Sequence, residues 1–183
     1  MKNPTEGGHE LSQAEIQLLE QLREHPEMLE RLRRILDLMC PAEGPLKSAD
    51  EVEELLIQEL RRLGNTSMNQ WAKLAEARVS EELRRQDPTL RSRKKKVLKW
   101  GCVFGEVAVR DRIWRSPTQK YLRPLPGRLG VTPRGRSRRL QRALTDFGCE
   151  HSFARAAERV LEHYGLMLGS TAVRTATLVH AER

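Results

Sequence analysis

The chain has 183 residues, of which 38% are hydrophobic and only 4% aromatic, so aliphatic side chains must build its core and helices are favoured over an aromatic-rich sheet. No apolar run approaches the length of a membrane span, and the opening MKNPTEGGHE has no signal-like apolar stretch, which argues against a membrane protein and for a cytoplasmic one. The net charge of +8 is unevenly divided: residues 1–90 hold 12 lysines and arginines against 18 acids, a net of −6, and residues 91–183 hold 21 against 7, a net of +14.

A basic second half suits a polyanion, nucleic acid being the commonest, and an acidic first half would be repelled by the same partner. Cys40, Cys102 and Cys149 lie far apart and form no CxxC pair, so reduced, unpaired thiols are expected, with no zinc ribbon.

Residues 1–10 are predicted to be a disordered start. The first helix begins at Ser12, with Glu15 at capping-box spacing, and Ile16, Leu19 and Leu22 share a face. Pro26 suits the first turn of a second helix carrying Met28, Leu32, Ile35, Leu36 and Met39, before a loop with Pro41, Gly44 and Pro45. Ser48 and Glu51 repeat the capping box for a third helix with Val52, Leu55, Leu56, Leu60 and Leu63, which Gly64 is expected to stop. A fourth helix is expected from a Thr66 or Ser67 cap to Asp87-Pro88, on Met68, Ala72, Ala75, Val79 and Leu83. Residues 11–90 are thus an acidic helical region. It is either a plain bundle or an association surface, and a homo-oligomer is the expected assembly because symmetric pairs are the commonest.

Residues 91–115 read as a basic β-hairpin. RSRKKK leads into VLKWGCVFGEVAVRDRIWRS, where Val107, Val109 and Ile113 alternate with Ala108, Arg110 and Arg112, and Gly101 and Gly105 permit the turn. Lys94, Lys95 and Lys96 are assigned to phosphates. Residues 116–136 are expected to be a linker or extended basic arm: positions 116–135 hold Pro117, Pro124, Pro126, Pro133 and three glycines, with Lys120, Arg123, Arg128 and Arg134 and no acid.

Residues 137–183 carry three amphipathic segments. Leu140, Ala143, Leu144 and Phe147 share a face in a helix expected to end at Gly148. Phe153, Ala156, Ala157, Val160, Leu161 and Tyr164 mark the next, ended by Gly165, and LML supplies apolar anchors in the turn. Ser170 is the expected N-cap of a third helix with Ala172, Val173, Ala176 and Val179 inward. Its opposite stripe is Thr171, Arg174, Thr175 and Leu178, one arginine among small side chains with no acid, which suits entry into a major groove. Such a set is a helix-turn-helix or a plain three-helix unit, and the crowding of Arg134, Arg136, Arg138, Arg139 and Arg142 favours DNA. Thr171, Arg174 and Thr175 are therefore placed at the bases, Ser170 is counted with them as DNA-binding, and the five arginines are placed at phosphates. The expected fold is mainly α with a small β-hairpin: an N-terminal helical region, a central hairpin and a C-terminal helix-turn-helix.

No catalytic or metal site emerges. Cys149 and His151 lack a third member, and Glu158 and Glu162 alternate with Arg155 and Arg159 as surface ion pairs. GVTPRGRS lacks the order of a phosphate-binding loop, so no cofactor is expected on this chain.

From about residue 48 onward the chain resembles the N-terminal part of an insertion-sequence transposase of the ISKra family. The resemblance lies in LRRLGNTSMNQWA, RSRKKKVLKWGCVFGEVAVRDRIWRS, YLRPLPGRLGVTPRGRSRRLQRALTDFGCEHSFARAA and LEHYGLMLGSTAVRTATLVH. It implies recognition of transposon terminal repeats by duplex-DNA binding. It also implies a ribonuclease-H-like catalytic domain of the DDE type, with an acidic trio and a divalent metal, encoded beyond Arg183. Where relatives carry a cysteine pair after the strand this chain has WRSPTQKY, so no zinc site carries over. The chain is accordingly expected to be the first frame of a frameshifted gene completed by a downstream catalytic part, a truncated remnant, or a stand-alone repressor. A non-catalytic assembly module is the remaining alternative.

Overall fold

The computed structural model of the protein describes residues 11–40, 45–116 and 121–181. The expected start at 1–10, most of the loop at 41–45 and part of the segment at 116–136 lie outside the described residues. The order of elements is α1 (Gln13–Glu24), α2 (Pro26–Met39), α3 (Ala49–Gln86), β1 (Arg91–Cys102), β2 (Gly105–Arg115), β3 (Tyr121–Leu122), α4 (Leu125–Leu129), α5 (Arg138–Glu150), α6 (Phe153–Tyr164) and α7 (Ser170–Ala181). The fold is mainly α with a small antiparallel sheet of order β1-β2-β3. Among the described residues no helix is long and apolar enough to cross a membrane.

Both capping boxes form. The Ser12 hydroxyl accepts from the Glu15 amide while Glu15 accepts from the Ser12 amide, and Ser48 and Glu51 repeat the exchange at the start of α3. The acidic box residue also favours the positive end of the helix dipole.

Gly64 does not stop the third helix. Instead α3 runs for 38 residues through Gly64, and the expected third and fourth helices are one. The glycine is there for room: a Cβ at Gly64 would lie 2.5 Å from Cδ1 of Phe104, at the hairpin tip. Ser67, an expected cap, donates its hydroxyl to the Leu63 carbonyl inside the helix. One turn on, Asn65 and Asn69 serve the open edge of β2. Asn65 Nδ2 donates to the Glu106 carbonyl at 3.0 Å, Asn69 Nδ2 reaches the same oxygen at 3.4 Å, and Asn69 Oδ1 accepts from the Ala108 amide at 2.9 Å. Side-chain amides thus replace a neighbouring strand on that edge.

The opposite edge is covered by residues 134–137. The Arg134 amide donates to the Lys99 carbonyl at 2.7 Å, Gly101 to Gly135 at 2.9 Å, and Ser137 to Gly101 at 2.8 Å. The expected linker is therefore part of the folded body, and Leu125 in its short helix is only 1% exposed. In register, Leu98 faces Val109 and Trp100 faces Val107. These four side chains, with Cys102, Ala72 and Leu125, form the first core.

The second core holds Leu140 and Leu144 of α5, Ala156 and Val160 of α6, and Val173 and Ala176 of α7. Gly148 lies within α5, which continues to Glu150, and marks where α7 comes closest: a Cβ there would lie 2.1 Å from Thr177 Oγ1. Thr177 is buried, with its hydroxyl donated to the Val173 carbonyl at 3.0 Å, and Val179, expected inward, is exposed. Val103 of the hairpin tip packs against this core. Arg61 of α3 donates to the His163 carbonyl at 2.8 Å, covering the C-terminal end of α6.

Gly148→Ala should cost about 1–3 kcal/mol by forcing α5 and α7 apart, even after the helix-propensity gain of alanine. Urea denaturation checks this. Adding Thr177→Ala should recover most of the loss, and a simple sum of the two single effects would contradict the contact.

Candidate nucleic-acid interface

The connection from α6 to α7 runs from Gly165, in the left-handed region at φ 65°, to Gly169. Leu166 and Leu168 pack on the second core, but Met167, expected to be an anchor, is 87% exposed between them. The Gly169 carbonyl accepts from the Ala172 amide at 2.9 Å, so Ser170 is the first helical residue and not the expected N-cap.

Burial of Val173 and Ala176 fixes how α7 is rotated. The helical period then puts Thr171, Arg174, Thr175 and Leu178 together on its open face. Thr175 donates its hydroxyl to the Thr171 carbonyl at 2.8 Å. Its proton is spent within the helix, and what it offers outward is its methyl group and oxygen lone pairs.

Arg138 and Arg139 stand exposed in the first turn of α5, where Ser137 caps the amides and no acid is present. Cations there oppose the helix dipole, so their position does not serve the stability of α5. Arg142 reaches Asp146 at only 3.7 Å on the surface, a pair of little energetic weight.

Three clefts link the basic side chains. One of about 650 Å³ is bordered by Arg136, Arg138 and Arg142 with Gly130 and Thr132. A second, about 340 Å³, is lined by Arg134, Arg136 and Glu106 together with Leu166, Met167 and Leu168. The third, about 530 Å³, is lined by Lys96, Val97, Lys99, Arg123, Pro133 and Arg134. Arg134 and Arg136 each border two of them, so one basic strip runs from Lys96 to Arg142 past the turn that precedes α7. The bonds from 134–137 to Lys99 and Gly101 hold it in place.

The three lysines do not act as a patch. All are exposed, but strand alternation puts Lys94 and Lys96 on one face and Lys95 on the other, opposite Arg112. Only Lys96 borders the strip, and Lys94 lies about 26 Å along β1 from the tip. Two further cations line the strip: Arg123, from the expected basic arm, and Lys99, which the sequence pattern does not mark as a site residue. Lys99 holds Glu106 at 2.7 Å on the surface.

Arg123 is anchored by Asp111, a buried carboxylate 1% exposed, with Nε to Oδ2 at 2.5 Å. Burial pushes the Asp111 carboxyl above the usual carboxylate range, and the Arg123 hydrogen bond and charge work against that rise. The signal for this pair was legible: between Val109 and Ile113, alternation assigns Asp111 to the apolar face, where a carboxylate needs a partner.

Among the described residues no three His, Cys, Asp or Glu side chains come together as metal ligands. Cys149 is exposed at the end of α5. No protein-family model and no curated protein matches the chain.

Arg123→Met should cost about 3 kcal/mol at neutral pH by leaving the Asp111 charge buried and alone. The folded-state carboxyl has a raised pKa, so the folded state holds the proton more tightly than the unfolded one. The loss should therefore shrink as pH falls through that range. Chemical denaturation at neutral and mildly acidic pH measures it, and a loss independent of pH would contradict the assignment.

Proposed function

We propose that the protein binds duplex DNA sequence-specifically, with α7 in a major groove and the basic strip on the flanking phosphates. The observation that carries this reading is the meeting of the two features: the strip through Arg134 and Arg136 borders the turn that leads into the acid-free face of Thr171, Arg174 and Thr175. Major-groove reading needs such a combination, because phosphate contacts fix orientation and base-edge contacts supply sequence preference. Arg174 is the side chain proposed to read a guanine edge, and the small neighbours let the helix approach closely.

The target we infer is the terminal repeat of a transposable element, with the chain acting as the DNA-binding part of a transposase of the family it resembles. No residue of the chain is given a catalytic role. Self-association through the N-terminal helices belongs to the same proposal. α1 and α2 bury no residue fully, and Ile16, Leu19, Leu36 and Met39 are exposed. Such apolar surface favours a partner, and a second copy would match a target with two half-sites.

Arg174→Ala should weaken binding to a selected duplex by about 1–3 kcal/mol and relax preference at one base position. Arg139→Ala should weaken binding to all duplexes alike. Selection from a random duplex pool, followed by anisotropy titration, separates the two effects. Unchanged preference in Arg174→Ala would remove α7 from the role of reading helix.

A further inference from the structure

We propose that the slot beside β1, lined by Lys96, Val97, Lys99, Arg123, Pro133 and Arg134, seats a sugar–phosphate segment of the bound strand with Arg134 as its anchor. The proposal rests on the duplex-binding reading above and extends it to a defined backbone site.

The backbone of Arg134 is the first reason. Among the described residues Arg134 is the one non-glycine residue with positive φ, at 60°. Thr132–Gly135 is closed by the Gly135 amide donating to the Thr132 carbonyl at 2.8 Å, and Arg134 occupies the third position, which glycine or asparagine normally fills. Glycine stands one residue later, where a Cβ would meet the Thr132 carbonyl oxygen at 2.9 Å. An arginine in the left-handed region is a local cost to folding, and residues held this way cluster at functional sites. Its amide is tied to the Lys99 carbonyl at 2.7 Å, so the side chain leaves from a fixed point between two clefts.

The walls are the second reason. Val97 is 51% exposed directly after three lysines, and Pro133 faces the same space. Apolar side chains lining the same slot as cationic ones suit a deoxyribose with its phosphate better than a free inorganic anion. The cations are not equally available. Arg123 is engaged by Asp111, and Lys99 is only loosely held by exposed Glu106. Lys96 and Arg134 have no acidic partner within ion-pair distance among the described residues. The site thus offers two free charges and a third that exchanges readily.

The test compares the parent with Arg134→Gly, Lys99→Gln and the double variant, using thermal melting and anisotropy on one duplex across a salt series. Arg134→Gly should melt no lower than the parent, while its affinity at low salt falls about tenfold. The slope of log K against log salt should flatten by about one unit for each charge removed. Arg128→Gln, which loses a surface pair to Glu82 outside the slot, should match the parent. A lower melting temperature in Arg134→Gly would mean the arginine holds the turn, and the proposal would fail. Parent binding with unchanged slope in both single variants would overturn the slot while leaving duplex binding intact. Absence of duplex binding by the parent would overturn both. Displacement of the duplex by millimolar inorganic phosphate at constant ionic strength would mark a free-anion site and overturn the sugar–phosphate assignment.

Discussion

The β1–β2 hairpin carries hydrogen-bonding groups on both outer edges, and the rest of the molecule is organised by how those edges are closed. On the β2 side, Asn69 supplies both an acceptor for Ala108 and a donor for Glu106 from within α3. On the β1 side, residues 134–137 pair with Lys99 and Gly101. Unpaired edge strands leave backbone donors and acceptors open to other chains, and each cover closes its edge. The first cover fixes α3 along the sheet. The second delivers Arg134 and Arg136 beside the turn before α7 and starts α5 at Ser137.

The electrostatic division follows from this arrangement. The acids of α3 are partly spent on neighbours, with Glu76 to Arg112 at 3.3 Å and Glu82 to Arg128 at 3.0 Å. On the strip, Lys99, Arg123 and Arg142 each meet one acid, Glu106, Asp111 and Asp146. Part of the surplus positive charge of the second half lies along the strip, where Lys96, Arg134, Arg136 and Arg138 have no ion-pair partner among the described residues and a polyanion would relieve their repulsion. Arg61 ties the last carbonyls of α6 to α3, so the helix that packs on α2 also steadies the C-terminal helices.

Local chemistry made much of this legible in the sequence. Ser12–Glu15 and Ser48–Glu51 announce helix starts because the box is contained within four residues. The 3.6-residue period identified the open face of α7, and alternation identified the inner face of β2. Readings failed where a residue's role depends on a distant contact. Gly64 and Gly148 read as helix ends, yet each is a place where Phe104 or Thr177 comes too close for a side chain. The proline-rich segment read as a linker because proline marks irregular backbone and says nothing of what that backbone packs against. The strip itself could not be read, since Lys99 and Arg134 are joined only by a hydrogen bond between two separate segments.

The most direct test of the central claim is fluorescence anisotropy of the purified chain with labelled duplexes from the DNA flanking its own gene, against scrambled duplexes, at low and near-physiological salt. Sequence reading by α7 predicts a preference for the flanking duplexes that survives the higher salt, because base-edge contacts do not release counterions as phosphate contacts do. Equal, weak binding to all duplexes that vanishes at the higher salt would contradict it and leave the basic strip as a phosphate-binding surface alone.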